Sequence, residues 1–304
     1  MGRAAGDHRH AAGGTFSVCR LDRRRRSATD PDGLRSRTFP VMSEPEVWNV
    51  GGAYERYVGR WSRRVAEAFV RSLDVPAGAR WLDVGCGTGA LTSAVLRVTE
   101  PAEVQGVDPS DGFLAHARDL VADQRARFSV GDARALPFPD GRFDAVVSGL
   151  VLNFVPDPAA AAAELARVAA PGGVVAAYLW DYADGMQMIR CCWEAAAVLD
   201  PAAAEQDEGR RFPLCRPEPL HALWVGAGLT DVDVAPIEVT TRFQDLDDYW
   251  SPFLGGQGPA PGYVGSLDDD QRAALYALLR RRLPVAADGS ISLSARAWAV
   301  RGSR

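Results

Sequence analysis

Two aspartates and a run of glycines carry the first chemistry this chain offers. In "ARWLDVGCGTGALTSAV", residues 79–95, Asp83 stands just ahead of Gly85, Gly87 and Gly89. Glycines lack Cβ atoms, so the backbone can turn sharply and a bound molecule can approach the free N–H groups that open a helix. That is a site for a nucleotide-type ligand. The run also satisfies the dinucleotide fingerprint, with Gly85, Gly87 and Ala90 in its three places, so the glycines alone leave two ligands open. A carboxylate at 83 repels phosphates and attracts an ammonium group, directly or through water. Asp108, closing "AEVQGVDPS", is placed to accept from both hydroxyls of a ribose and suits either ligand. With an antiparallel final strand, Asp83 points toward a cationic amino-acid nucleoside.

Positioning these groups takes alternating strands and helices. Ala79–Val84 reads as a short apolar strand, and Ala90 onward has helical spacing. A second strand ends at Asp108, a third, "RFSVGDA", near Asp132, and "RFDAVVSGL" and "GGVVAAYLW" make a fourth and fifth. Between them lie the helices "DGFLAHARDLVAD" and "DPAAAAAELARVA", the latter opened by an aspartate cap and a proline. A leading helix is expected within 48–73, where Trp61, Val65, Ala68 and Phe69 recur at helical spacing. This alternation predicts an α/β fold with a mostly parallel sheet and helices on both faces. Two β-branched segments, 232–243 and 290–302, would close the sheet as a hairpin-like pair, bringing it to seven strands with an antiparallel last strand. Cap-like insertions are expected at about 183–226 and 245–284. Within the second, "SPFLGGQGPAPG" reads as forming neither strand nor helix, and 245–266 is expected to be either a mobile cap over a substrate or a surface connection.

The composition is that of a globular chain, with 304 residues and 47% hydrophobic. Every basic residue is arginine, a mark of coding bias rather than of chemistry. Residues 1–41 hold nine arginines against four aspartates and are expected to be a disordered basic tail, with Met42 as the start of organised sequence. The remainder, 42–304, is more acidic than the overall charge of −5, which argues against a nucleic-acid or anionic-membrane partner. No apolar run reaches the ~20 residues that span a bilayer, and the opening lacks the apolar stretch of a secretory signal. Cys19, Cys86, Cys191, Cys192 and Cys215 form no C-x-x-C pair, which suits a reducing cytoplasm. The vicinal Cys191–Cys192 pair has no histidine or acid at ligand spacing, so it reads as two half-buried thiols and no metal is expected.

The chain resembles the class I S-adenosylmethionine-dependent methyltransferases, of the small-molecule group similar to ubiquinone/menaquinone C-methyltransferases. The likeness runs from about Trp48 to Trp180 and rests on "LDVGCGTG", "GVDPSDGFLAHAR", "GDARALPFPDGRFDAVVSGLVLNFVPDP" and "APGG", with a weaker match at the two closing strands. It implies a Rossmann-like sheet with S-adenosyl-L-methionine as cofactor. It implies that Asp83 and the backbone of Gly85, Cys86, Gly87 and Gly89 face the methionine part, and that Asp108, with Pro109 beside it, holds the ribose. Phe113 would pack near the adenine, Gly131 and Asp132 would lie at its amino group, and the Ala133 N–H would donate to its ring. Ser148 and Gly149 would lie under the methionine amine, and Tyr54, Tyr57 and Arg60 would cover the site. The chain departs from the family at "LNFV", where many relatives carry a histidine pair: Asn153 is the counterpart, an acceptor contact that cannot act as a base.

The resemblance thus implies in-line methyl transfer to a small-molecule acceptor, with alignment and exclusion of water as the main catalytic factors. Asp181, in "YLWDY", is either a general base or a loop carboxylate. Trp180, Tyr182, Trp250 and Phe253 are expected walls of the acceptor pocket, against plain packing as the other reading. His116 and His221 are read as surface or packing residues. Two rivals remain: a nicotinamide-dependent oxidoreductase, which Asp83 and the lack of any lysine disfavour, and a non-catalytic module that binds the nucleoside without transferring anything.

Overall fold

The computed structural model describes residues 59–255 and 258–304, all within the second of the chain's two units, Pro45–Arg304. The tail 1–41 and the start of the expected leading helix lie outside the described residues. The described part of that helix, α1 (Arg60–Ser72), buries Trp61, Val65, Ala66, Phe69 and Val70, two neighbours per turn, as a helix with one apolar stripe must. Ala68, expected on that stripe, faces solvent, and Ala66 takes its place because the stripe follows 61, 65 and 69 with their preceding-turn partners.

Seven strands form one sheet in the order β3-β2-β1-β4-β5-β7-β6. β1 (Arg80–Val84), β2 (Glu103–Asp108), β3 (Ala126–Val130), β4 (Phe143–Gly149) and β5 (Ala169–Trp180) are parallel. β7 (Ile291–Ser303) runs antiparallel between β5 and β6 (Thr230–Phe243), pairing Tyr178 with Ala299 and Ile237 with Ala297. This is the closing pair expected from the β-branched segments, with the second insertion between its strands.

Strand alternation divides the core in two. Trp81, Ala145, Val147, Ala176, Tyr178 and Trp180 face one side, where α1, α2 (Ala90–Val98) and α5 (Gln187–Leu199) pack. Leu82, Val146, Ala177 and Leu179 face the other, against α4 (Pro158–Val168) and α7 (Pro217–Gly226). With both faces covered, the central strands read as nearly continuous apolar runs. Helix starts follow local chemistry. Ser110 Oγ accepts from the Phe113 N–H to open α3 (Asp111–Leu120), and Asp157 accepts from the Ala160 N–H to open α4 with Pro158 in its first turn.

Between β5 and β6 lie α5, the short α6 (Glu208–Arg211) and α7. Between β6 and β7 lie α8 (Leu246–Trp250), α9 (Pro259–Ser266) and α10 (Asp269–Arg282), the last opened by a capping box between Asp268 and Gln271. The reading of "SPFLGGQGPAPG" as structureless is therefore corrected. Its prolines 259 and 261 sit in the first turn of α9, where a missing N–H costs nothing, and residues 251–255 form a 3-10 turn. Within 245–266, Tyr249 and Phe253 are fully buried, and the Tyr249 hydroxyl donates to the Met188 carbonyl at 2.8 Å. Among the described residues no helix is long and apolar enough to cross a membrane.

Candidate functional site

Strand order reverses between β1 and β4, and open α/β sheets carry their ligand sites outside the carboxyl ends of the strands at such a point. A cleft of about 570 Å³ lies there. One end is built from the β1 turn and the ends of β2 and β3. The other is built from residues 149–156 and the end of β5.

The β1 turn needs its glycines. Gly85, Gly87 and Gly89 have φ of +73°, +52° and +84°. A Cβ on Gly85 would lie 2.5 Å from Val151 Cγ2, so that glycine lets the two sides of the cleft meet. A Cβ on Gly87 would meet no atom within 4 Å; it would stand in the cleft itself.

Asp83 has no exposure to solvent, and its Oδ2 accepts from the Thr92 hydroxyl at 2.7 Å. Its Oδ1 has no partner. Burial pushes the carboxyl up to about 7, although the bonds from Thr92 pull it back. An orphaned carboxylate oxygen lining a cleft is a site for a cation that brings its own N–H donors. Asp108 accepts from the Gly87 N–H at 3.0 Å through Oδ2 and from the Ser110 N–H at 2.9 Å through Oδ1, leaving one lone pair on each oxygen. Burial raises its carboxyl above the ordinary value against the pull of these two N–H groups. The Cys86 thiol, buried near both aspartates, is driven far up and stays neutral.

Pro109, Phe113, Gly131, Asp132 and Ala133 line the same end. Asp132, however, is held by Arg134, which donates to Oδ2 at 2.6 Å and to Oδ1 at 3.0 Å, and this pair keeps its carboxyl down at about 2. A ligand amino group at Asp132 therefore has to share the carboxylate with Arg134, a cleft residue that the sequence did not single out.

At the other end the lining holds Gly149, Trp180 and Tyr182 together with Leu150, Val151, Phe154 and Tyr178. Tyr178 shares a strand face with Trp180 by the two-residue period, a signal the sequence contained. Leu150 has φ of +64° and is held by its N–H to the Tyr178 carbonyl at 2.8 Å; such a conformation in a non-glycine residue persists only where its surroundings enforce it.

Several expected site residues stand elsewhere. Ser148 is buried behind the cleft, its hydroxyl donating to the Val84 carbonyl at 2.8 Å, so it stitches β4 to β1. Asp181 is no free base. Its Oδ2 takes the Arg296 Nε at 2.7 Å, its Oδ1 takes the Asp184 N–H at 2.9 Å, and it lies outside the lining. Asn153 follows Val151 and Leu152 into a 3-10 turn that takes it out of the lining. Trp250 and Phe253 pack on each other and on Tyr249 and Tyr276 rather than on the cleft. Tyr54, Tyr57 and the Arg60 side chain lie outside what the structure describes; Ser62, in the first turn of α1, is the part of that segment seen in the lining. His116 and His221 are exposed, and no cluster of metal-ligating side chains occurs among the described residues.

A glycine turn beside two buried carboxylates at the switch point of an open α/β sheet makes this cleft a site for a nucleotide-type ligand. Residues 82–177 match the methyltransferase domain family. The chain is 40% identical over 121 residues to the 2-methyl-6-phytyl-1,4-hydroquinone methyltransferase of Synechocystis, covering 40% of this chain and 38% of that protein. It is 38% identical over 117 residues to the demethylmenaquinone methyltransferase of Staphylococcus aureus, covering 38% of this chain and 47% of that one. The chain thus spans less than half the length of these curated relatives. Among solved structures, a Haemonchus contortus phosphoethanolamine N-methyltransferase in complex with S-adenosyl-L-methionine is similar at TM-score 0.53 and 19% identity, over 83% of this chain and 56% of that one. The YcgJ protein of Bacillus subtilis is similar at 0.51 and 18%, over 79% and 98%. At these identities the structural likeness establishes the fold.

Proposed function

We propose that this protein transfers a methyl group from S-adenosylmethionine to a small, planar ring acceptor of the reduced-quinone type. The observation that carries the cofactor half of this reading is Asp83, a fully buried carboxylate with one unpartnered oxygen beside a glycine turn open to the cleft. The pyrophosphate of a dinucleotide would be repelled there, whereas the ammonium of an amino-acid nucleoside supplies the donors that Oδ1 lacks. The acceptor half is supported by the aromatic residues at the far end of the cleft and by the 2-methyl-6-phytyl-1,4-hydroquinone and demethylmenaquinone in the names of the relatives.

The residues divide the work. Asp83 holds the ammonium, and the open turn at Gly87 gives the ligand room. Asp108 accepts from two vicinal hydroxyls with its remaining lone pairs, while Gly87 and Ser110 fix its plane. Phe113, Ala133 and the Asp132–Arg134 pair flank a planar base. Bound S-adenosylmethionine supplies an electrophilic methyl group on a positively charged sulfur. Phe154, Tyr178, Trp180 and Tyr182 exclude water and hold the acceptor ring in line. The carboxylates among the described lining residues all lie at the glycine-turn end, so the acceptor end works by alignment and by the electron density of the ring itself, with S-adenosylhomocysteine as the leaving group and the acceptor's proton passing to solvent water after the transfer. Buried free Cys86, Cys192 and Cys215 support a reducing cytoplasm as the place of work.

Isothermal titration tests the cofactor half: S-adenosylhomocysteine should bind and NADH should not. Mass analysis of reduced quinones after incubation with S-adenosylmethionine should find the gain of one methyl group. Tight binding of NADH would replace this reading with the oxidoreductase, and cofactor binding without transfer to any reduced quinone would remove the acceptor half.

A further inference from the structure

The first insertion places one aromatic residue against the outer side of the acceptor end. Phe212 is half-buried, lies outside the cleft lining, and touches two residues that form it. Its ring centroid is 5.3 Å from that of Phe154, edge to face, and 5.8 Å from that of Tyr182. The Arg211 guanidinium lies 5.7 Å from its ring.

The backbone carrying Phe212 is fixed to the same wall. Arg190 Nη1 donates to the Tyr182 carbonyl at 3.2 Å and to Asp207 Oδ1 at 2.6 Å, and that oxygen also accepts from the Gly209 N–H at 2.8 Å. Arg216 in turn donates to the Gly209 carbonyl at 3.0 Å. Gly209 is seated so closely that a Cβ there would lie 2.7 Å from the Tyr182 carbonyl oxygen. Phe212 therefore backs Phe154 and Tyr182 from a rigid mount, and its volume decides how far those two rings can withdraw from a ligand.

We infer that Phe212 sets the length of the acceptor end and so selects acceptors by ring size; this rests on the cleft being the methyl-transfer site proposed above. Removing its ring lets Phe154 and Tyr182 recede into the vacated space, and enlarging it presses them inward. Phe212 touches neither substrate nor cofactor and acts as a positioning residue.

The test uses the full chain saturated with S-adenosylhomocysteine and three diols held reduced under anaerobic conditions: methylhydroquinone, menadiol and anthrahydroquinone, of one, two and three rings. Titration should show Phe212→Ala shifting preference toward the three-ring compound by roughly tenfold or more, the discrimination that one small group in an apolar pocket can give. Phe212→Trp should shift it toward the one-ring compound, and both variants should keep the S-adenosylhomocysteine affinity of the parent. Phe212→Leu covers the case in which the alanine variant does not fold, with an intermediate shift. Equal weakening for all three diols, unchanged preference, or a parent protein that binds S-adenosylhomocysteine but none of the diols overturns the inference. Failure of S-adenosylhomocysteine to bind the parent overturns the reading of the cleft beneath it.

Discussion

The substitution Asp83→Asn should stabilise the cofactor-free protein, and more so as pH rises. Burial lifts the Asp83 carboxyl from 3.8 to about 7. At about 1.4 kcal/mol per unit, keeping it ionised in the folded chain above that pH costs about 4 kcal/mol. The sign follows from proton counting. Between pH 4 and 7 the unfolded chain has lost the Asp83 proton while the folded chain retains it, so folding takes up a proton and stability falls as pH rises, levelling off above 7. From pH 5 to pH 8 this group alone removes about 2–3 kcal/mol. The amide of the variant has no such proton and can keep an oxygen toward the Thr92 hydroxyl. Effects of the substitution that do not depend on pH, and titrations shared by both proteins, drop out when the gap in melting temperature is followed across pH. That gap should widen by roughly 5–10 °C between pH 5 and 8 for a folded unit of this size. Saturating S-adenosylhomocysteine should reverse the order at pH 8, since its ammonium compensates the carboxylate and finds only an amide in the variant. Thermal unfolding at pH 5, 6, 7 and 8, with and without ligand, measures all of this. A gap that stays flat or narrows with pH would show that Asp83 is not a charge held at a cost for a cationic ligand.

Asp108→Ala should weaken S-adenosylhomocysteine binding by about 2–4 kcal/mol, the loss of two charge-assisted hydrogen bonds, with the circular dichroism of the parent; an unchanged dissociation constant would remove the hydroxyl-binding role. Gly87→Val should fold, because its Cβ meets no protein atom within 4 Å, at a backbone cost of about 1–2 kcal/mol for a φ of +52°, and should abolish binding in the same titration. Arg296→Ala should destabilise by about 3–5 kcal/mol in urea unfolding, because it leaves the buried Asp181 carboxylate without its cation; a loss under 1 kcal/mol would show that water reaches Asp181.

What the sequence makes legible is local in the chain. Asp83, the glycine turn and Asp108 belong to one strand-turn-helix-strand run, and their placement follows from where β1 and β2 end. The residues it misplaces are fixed by distant partners. Asp181 looks like a base after a strand until Arg296, on β7, is brought to it by the antiparallel pairing of β5 with β7. Trp250 and Phe253 lie in a stretch with loop composition, and only the packing of α8 against Phe243 and Tyr276 shows that they fill a core. Ser148 is fixed by the neighbouring strand. Strand alternation sends it to the opposite side from Val147, and its hydroxyl closes on the Val84 carbonyl.

The same distinction separates the two halves of the cleft. The polar end comes from β1 to β3 and their turns, short-range structure that any change in the later insertions leaves in place. The aromatic end comes from the turn after β4 and from β5 and the residues just past it, and is backed by a segment held by long-range contacts. Glu208 shows how that segment is fastened: its carboxylate accepts from the Trp193 indole N–H on α5 and, at 3.2 Å, from the Ala260 N–H in the first turn of α9. Burial pushes this carboxyl up to about 7, and the two donors offset part of that cost, so the group is tolerated where it joins the two insertions. The Arg190–Asp207 pair then carries the fastening on to the Tyr182 backbone, at the cleft wall. Substitutions in the insertions can therefore reshape the acceptor end without disturbing Asp83 or Asp108. A fold built this way can keep one cofactor site while its acceptor changes, because the two ends meet along the sheet and at Gly85 and Val151, away from the segments that back the acceptor end.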